Sequence, residues 1–251
     1  MEWHDDAILL GIRLHGETSA IVELMTRGHG RHLGVVRGGR SRRMQPLMQP
    51  GNRVEAHWRA RLDEHLGIFR LEAVDFSAAR MMQVPFALYG LQTIAAHLRL
   101  LPERDPHPAL YEGLRLLLDH FQTPLLVGEI LMRFEMLLLE ELGFGLDLTC
   151  CAATGARDGL AYVSPKSARA VSLAAGLPWK EKLLILPRFL CEADCRPASS
   201  EDIRDGFRLT GFFLARHVLE PRGLVPPEFR ARLVNQLLHD LAAVSAPFLS
   251  S

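Results

Sequence analysis

Between Arg53 and Arg61 the sequence alternates without a break. Val54, Ala56, Trp58 and Ala60 fall on one side, and Arg53, Glu55, His57, Arg59 and Arg61 on the other. A period of two over this length is a β-strand with one face buried and one face wet. It places Trp58 with the core-facing set and not outside as a platform for stacking. The residues around it read the same way. Ile8, Leu10, Ile12 and Leu14 alternate with smaller or polar neighbours, Ala20–Thr26 follows, then Leu33, Val35 and Val36, and finally Leu66–Val74. Gly28-His29-Gly30, Gly38-Gly39 and Pro50-Gly51 supply the corners, because glycine takes the positive φ that tight connections need.

The same stretch is charged on one sign only. From residue 27 to residue 61 stand Arg27, Arg31, Arg37, Arg40, Arg42, Arg43, Arg53, Arg59 and Arg61 against a single acid, Glu55, in a chain of zero formal net charge. Such a concentration reads as a surface for a polyanion, nucleic acid above all. The plain alternative is a solvated face that keeps an edge strand soluble. His29 and His32 flank the first hairpin and would add to the basic face at low pH. The composition of Arg40–Pro50 suggests a mobile loop. Five short strands, glycine-rich corners and one basic outer surface suit a closed barrel of the OB type over residues 1–80, which binds strands in a positive groove.

Past residue 80 the texture turns helical. Val84–Leu101 is apolar up to Pro102, Ala109–Phe121 is amphipathic, and Thr123-Pro124 opens a helix that stops at Gly143. That helix is apolar nearly all round and belongs at the centre of a bundle. Residues 146–175 break the pattern as a small irregular insert, with a hairpin around Ser164–Ser167. Helices are predicted again over Trp179–Cys191, Ser200–Leu219 and Pro227–Ala243, with Ser199 and Asp202 capping the second. The expectation is an α+β chain, a barrel of residues 1–80 and a mainly helical domain of residues 81–251.

Apolar content of 48% with 23% charged residues is that of a soluble globular protein. Glu2, Asp5 and Asp6 acidify the start, which argues against a signal peptide. Glu129, Arg133, Glu135, Glu140 and Glu141 interrupt the most apolar segment, so it is a poor membrane span. A cytoplasmic protein is expected. Catalytic patterns are missing: His4-Asp5-Asp6 and His239-Asp240 have no second ligand at helical spacing, and neither Gly28-His29-Gly30 nor Gly143-Phe144-Gly145 completes a phosphate loop. Cys150, Cys151, Cys191 and Cys195 form a poor zinc pattern and read as thiols. Arg133, inside the apolar helix, has two readings of equal weight. It pairs with Glu129 one turn back, or it anchors a partner's carboxylate beside an apolar pocket.

The order of motifs resembles one family. Arg133-Phe134-Glu135 is followed by Leu142-Gly143-Phe144-Gly145, a cysteine-bearing insert with Ala161-Tyr162-Val163-Ser164-Pro165-Lys166-Ser167, then Phe189-Leu190 and Leu209-Thr210-Gly211-Phe212-Phe213-Leu214. The whole chain is similar to the RecO family of bacterial DNA repair proteins. That resemblance implies a non-enzymatic recombination mediator without a cofactor. It would bind single- and double-stranded DNA and anneal complementary strands on DNA coated with single-stranded-DNA-binding protein. It would work with RecR and RecF to help RecA load, in a nucleoid-associated setting. Arg133 matches the position implicated in holding the acidic C-terminal tail of the single-stranded-DNA-binding protein. Some relatives hold zinc in the insert with two cysteine pairs; here Thr154 stands where the first pair would finish and Pro165–Ala170 offers no second, so no zinc is expected.

Overall fold

The computed structural model describes residues 1–62, 64–191 and 198–245. Cys195 lies outside them. The chain folds as two compact units, Met1–Phe121 and Gln122–Ser251.

In the first unit β1 (Glu2–His15), β2 (Ser19–Thr26), β3 (Arg31–Val36), β4 (Arg53–Arg59) and β5 (Ile68–Asp75) close a barrel in the order β1-β2-β3-β5-β4. This is the OB-type arrangement. All neighbours are antiparallel except β3 and β5. Strand β4 keeps the alternation of its sequence, with Val54, Ala56 and Trp58 buried in the barrel core and Arg53, Glu55, His57 and Arg59 outside. Trp58 donates its indole N–H to the Leu66 carbonyl at 3.1 Å. Gly67 follows at φ +68°, where a Cβ would stand 2.3 Å from Trp58 Nε1. Only glycine meets both the backbone angle and the ring.

Strand β1 departs from its sequence pattern. Leu9 faces Leu24 and Gly11 faces Glu23, so Leu10 is an extra residue in the ladder, a bulge. Ala7 and Leu9 enter the barrel core before it and Ile12 packs on that core after it, whereas Leu14 is exposed. The expected single face of Ile8, Leu10, Ile12 and Leu14 is therefore corrected. Ile8 and Leu10 are buried on the outside of the barrel, where α2 (Ala87–Leu98) packs on β1.

Helices α1 (Ser77–Met81), α2 and α3 (Pro108–His120) complete this unit. The expected boundary near residue 80 marks the end of the barrel, and the compact unit continues through α3. At the junction, Arg80 forks onto both carboxylate oxygens of Asp75 at 2.9 and 2.7 Å and Ser77 adds a hydroxyl. These hydrogen bonds hold the Asp75 carboxyl down at about 2. A depressed carboxylate stabilises the fold above its unfolded value near 4 and loses that contribution as pH falls towards 2. Thermal melts of wild type and Asp75→Asn should differ at neutral pH and converge across that window.

In the second unit α4 (Pro124–Glu141) packs against α6 (Ser200–Phe213) and α7 (Glu228–Ser245). Val127, Leu131, Met132, Phe134, Leu138 and Leu139 bury most of its circumference. Helix α6 starts with the expected capping box, Ser199 Oγ accepting from Asp202 N at 3.1 Å and Asp202 Oδ2 from Ser199 N at 2.9 Å. At Leu214–Leu219 it widens into a π turn. Gly206 lets α6 close on α4, since a Cβ there would stand 1.8 Å from the sulfur of buried Met132. Alanine would gain about 1 kcal/mol of helix propensity. Overpacking costs up to about 3 kcal/mol, so Gly206→Ala should lower the melting temperature of this unit, read by calorimetry.

The insert forms a three-stranded sheet in the order β7-β6-β8, from β6 (Leu160–Val163), β7 (Ala170–Ser172) and β8 (Leu184–Ile185), with one short α-helical turn, α5 (Leu173–Gly176). The hairpin around Ser164–Ser167 is as expected. The helix expected over Trp179–Cys191 is not formed. A 3-10 turn at Leu177–Lys182, strand β8 and a second 3-10 turn at Arg188–Leu190 take its place. Pro178 and Pro187 bracket the stretch, and each removes a backbone donor and constrains the residue before it.

Candidate nucleic-acid interface

The nine arginines divide into three groups. Arg31, Arg27 and Arg53 have carboxylate partners inside the first unit. Arg31 lies 3.1 Å from Glu23, which also takes Arg99, and its side chain is only 14% exposed. Arg27 reaches Glu112 at 3.2 Å and Arg53 reaches Asp119 at 3.7 Å, both on α3.

Arg37, Arg40, Arg42 and Arg43 form the second group, on the connection from β3 to β4. All four are exposed, and none has a carboxylate within ion-pair distance among the described residues. The connection is held by its own hydrogen bonds. Ser41 N binds Gly38 O, Met44 N and Gln45 N bind Ser41 O, and Asn52 Nδ2 binds the carbonyls of Pro46 and Leu47. Leu47 and Met48 plug the barrel core beneath it. A loop expected to be mobile is thus anchored at its apolar end, with its cations facing water. Arg40 ties it to the β1–β2 turn, donating its backbone N–H to Thr18 O at 3.1 Å and its guanidinium to Gly16 O at 2.8 Å.

Arg59 and Arg61 make the third group, exposed and without ion pairs among the described residues. Val35 pairs with Ile68, and Ile68 pairs with Arg59. From that rung β3 runs on to Arg37 and β4 runs on to Arg61 in the opposite direction. The exposed arginines thus fall into two sets that start from one rung and diverge along the strand direction.

The first set has a neighbour that the sequence reading missed. Arg13 is exposed near the end of β1, opposite Ile21, just before the turn on which Arg40 rests. It lies outside the arginine-rich run in sequence, so only the hairpin register brings it close. His32 is the reverse case. It is buried against Trp3, Trp58 and Phe69, and burial pushes its pKa below the usual histidine value. It does not add to the basic face. His29 stacks flat on Trp3 at 4.1 Å, with Nδ1 3.0 Å from Asp5.

In the second unit Arg133, Met136, Leu137 and Glu140 form the stripe of α4 that is not buried, at the i, i+3, i+4, i+7 spacing of one helix face. With Gly145, Leu146 and Leu190 they line an open cleft of about 330 Å³. The pairing of Arg133 with Glu129 is not formed; Glu129 accepts from Ala198 N instead. Arg133 Nη2 donates to Phe189 O at 2.6 Å and its guanidinium lies 5.7 Å from the Phe189 ring centroid. Glu135, on the other side of α4, is fully buried and takes Arg230 Nε and Nη2 at 2.7 and 2.8 Å. Cys151 is buried, its sulfur accepting from Ser172 N at 3.2 Å, and Cys150 is half-buried near Arg169. Among the described residues no group of three histidine, cysteine or acidic side chains is placed to hold a metal. No described helix is long and apolar enough to cross a membrane.

Two family models match the chain, "Recombination protein O N terminal" over residues 1–76 and "Recombination protein O C terminal" over residues 83–224. They place it among proteins of DNA repair and recombination. Curated relatives named "DNA repair protein RecO" agree. The one from Brucella abortus (strain 2308) is 61% identical, covering 94% of this chain and 95% of its own length. That of Bartonella tribocorum is 62% identical, covering 93% and 94%, and that of Mesorhizobium japonicum 61%, covering 92% and 91%. The chain belongs to the RecO family.

Proposed function

We propose that this chain is a non-enzymatic recombination mediator that binds single- and double-stranded DNA through the barrel of residues 1–80 and pairs complementary strands. The observation that carries this reading is the β3–β4 connection: Arg37, Arg40, Arg42 and Arg43 are exposed and, among the described residues, have no carboxylate within ion-pair distance, on a loop anchored by Leu47 and Met48. Guanidinium groups placed so cost little to bring to phosphate, because no internal ion pair has to break. Arg59 and Arg61 form a second exposed set, diverging from the same rung. Two sets of cations on one barrel can neutralise phosphates on two strands and lower their mutual repulsion. Arg27, Arg31 and Arg53 would contribute only by exchanging Glu112, Glu23 and Asp119 for phosphate.

Arg133 is proposed as the anchor for the acidic C-terminal tail of the single-stranded-DNA-binding protein. It stands beside Met136, Leu137, Leu146 and Leu190, a charge next to an apolar cleft. RecR, RecF and RecA are the further partners of this reading, in the nucleoid.

Annealing of two complementary oligonucleotides, followed by quenching of a dye pair, tests it. The protein should accelerate annealing without cofactor or nucleotide. Binding to an acidic protein with no oligonucleotide binding would instead make the barrel a protein adaptor. Arg133→Ala should weaken a tail peptide by about tenfold or more, the worth of a charged hydrogen bond, with oligonucleotide affinity unchanged. Loss of folding in that variant would make Arg133 structural.

A further inference from the structure

Of the 29 lysines and arginines, only three are lysine: Lys166, Lys180 and Lys182. All three lie in or beside the insert. Lys180 and Lys182 flank Glu181 and follow Trp179 on the 3-10 turn Leu177–Lys182. Trp179 is 59% exposed, whereas Trp58 is fully buried and Trp3 half-buried. The Lys182 ammonium stands 5.5 Å from the centroid of the Trp179 ring. It has no carboxylate partner among the described residues, and Lys180 meets Glu181 only at 4.0 Å.

Lys180, Glu181 and Lys182 of this turn wall a cleft of about 430 Å³, whose other lining includes Tyr162, Ile185, Arg208 and Phe212, while the Trp179 ring stands at its rim beside Lys182. Pro165, from the hairpin that carries Lys166, closes one side. Lys180, Lys182 and Arg208 outnumber the carboxylates of the same lining, Glu181 and Asp205. A flat aromatic ring among point-charge cations suits a nucleobase on the ring and phosphates at the ammonium groups. An acidic peptide would use the cations and leave the ring idle.

We propose that the exposed Trp179 ring and the lysine rim of this cleft form a second single-strand nucleic-acid site, with a base on Trp179 and the flanking phosphates at Lys180 and Lys182. It deepens the DNA reading above but does not depend on the barrel arginines. A short thymidine oligonucleotide, end-labelled for anisotropy, is titrated into the full chain while tryptophan emission is followed. The oligonucleotide should quench emission. Trp179→Phe should abolish most of that quenching and keep the affinity, since phenyl still stacks. Trp179→Ala, and Lys180→Glu with Lys182→Glu, should each lower affinity by about tenfold, with unchanged melting curves because these side chains are exposed.

The Arg40→Ala, Arg42→Ala, Arg43→Ala variant should retain quenching of Trp179 at higher oligonucleotide concentration. Oligonucleotide binding with unquenched Trp179 and wild-type affinity in the lysine variant would overturn this site and leave the barrel reading standing. No binding in any form would remove both. Displacement of the oligonucleotide by polyglutamate at equal concentration would assign the cleft to an acidic peptide and overturn the proposal.

Discussion

Glu135→Ala should cost the second unit about 3–5 kcal/mol, the usual penalty for stripping one partner from a buried ion pair. Glu135 is fully buried, and its carboxylate takes two bonds from Arg230 and one from Thr210 Oγ1 at 2.5 Å. Arg230 also donates to Phe207 O at 2.9 Å and lies 5.4 Å from the Phe207 ring centroid. Helices α4, α6 and α7 therefore meet at one charge cluster. Without the carboxylate, the Arg230 guanidinium stays in a largely buried site with a carbonyl and a hydroxyl for company. At about 4 °C per kcal/mol for a unit between the small and large domain classes, the midpoint should fall by roughly 10–20 °C in calorimetry. The double variant Glu135→Met, Arg230→Met should recover most of the loss, because an apolar pair of similar volume removes both desolvation penalties. Equal melts for wild type and Glu135→Ala would mean that the cluster does not hold the helices.

The second large effect concerns the arginine loop between β3 and β4. Each phosphate neutralised on a single strand releases condensed counterions and contributes about −0.7 to the slope of log affinity against log salt. Arg40→Ala, Arg42→Ala and Arg43→Ala together should flatten that slope by about 2. The same dependence makes the variant about a hundredfold weaker at 0.1 M salt, with the two proteins converging near 1 M. Stability should change little, since among the described residues these three side chains make one internal hydrogen bond, from Arg40 to Gly16 O, and Leu47 and Met48 stay in place.

Strand β4 was legible because every second residue is small or aromatic and none breaks the alternation. The same reasoning failed on β1. Leu10 is apolar whether it faces the core or the outside, so nothing in its chemistry marks the bulge that reverses the faces. In the insert, the run from Trp179 to Cys191 mixes charges and leucines as a helix would, and Pro187, inside that run, is the residue that argues against one. The arginine stretch showed where the positive charge is, but not how it is spent. Glu112 and Asp119 lie far along the chain from Arg27 and Arg53, and the strand directions that part Arg37 from Arg61 follow from the barrel's closure. The Glu135–Arg230 contact spans 95 residues and has no local signature. Arg133 was visible as an oddity, a cation in an apolar helix; its cleft needed Gly145, Leu146 and Leu190 to be brought round.

The most direct test is a salt titration of single-stranded oligonucleotide binding, wild type beside the Arg40, Arg42, Arg43 triple alanine variant. The loop's role predicts parallel folding, a steep wild-type line and a variant line flatter by about 2. Two superimposed lines would show that these guanidinium groups do not touch DNA.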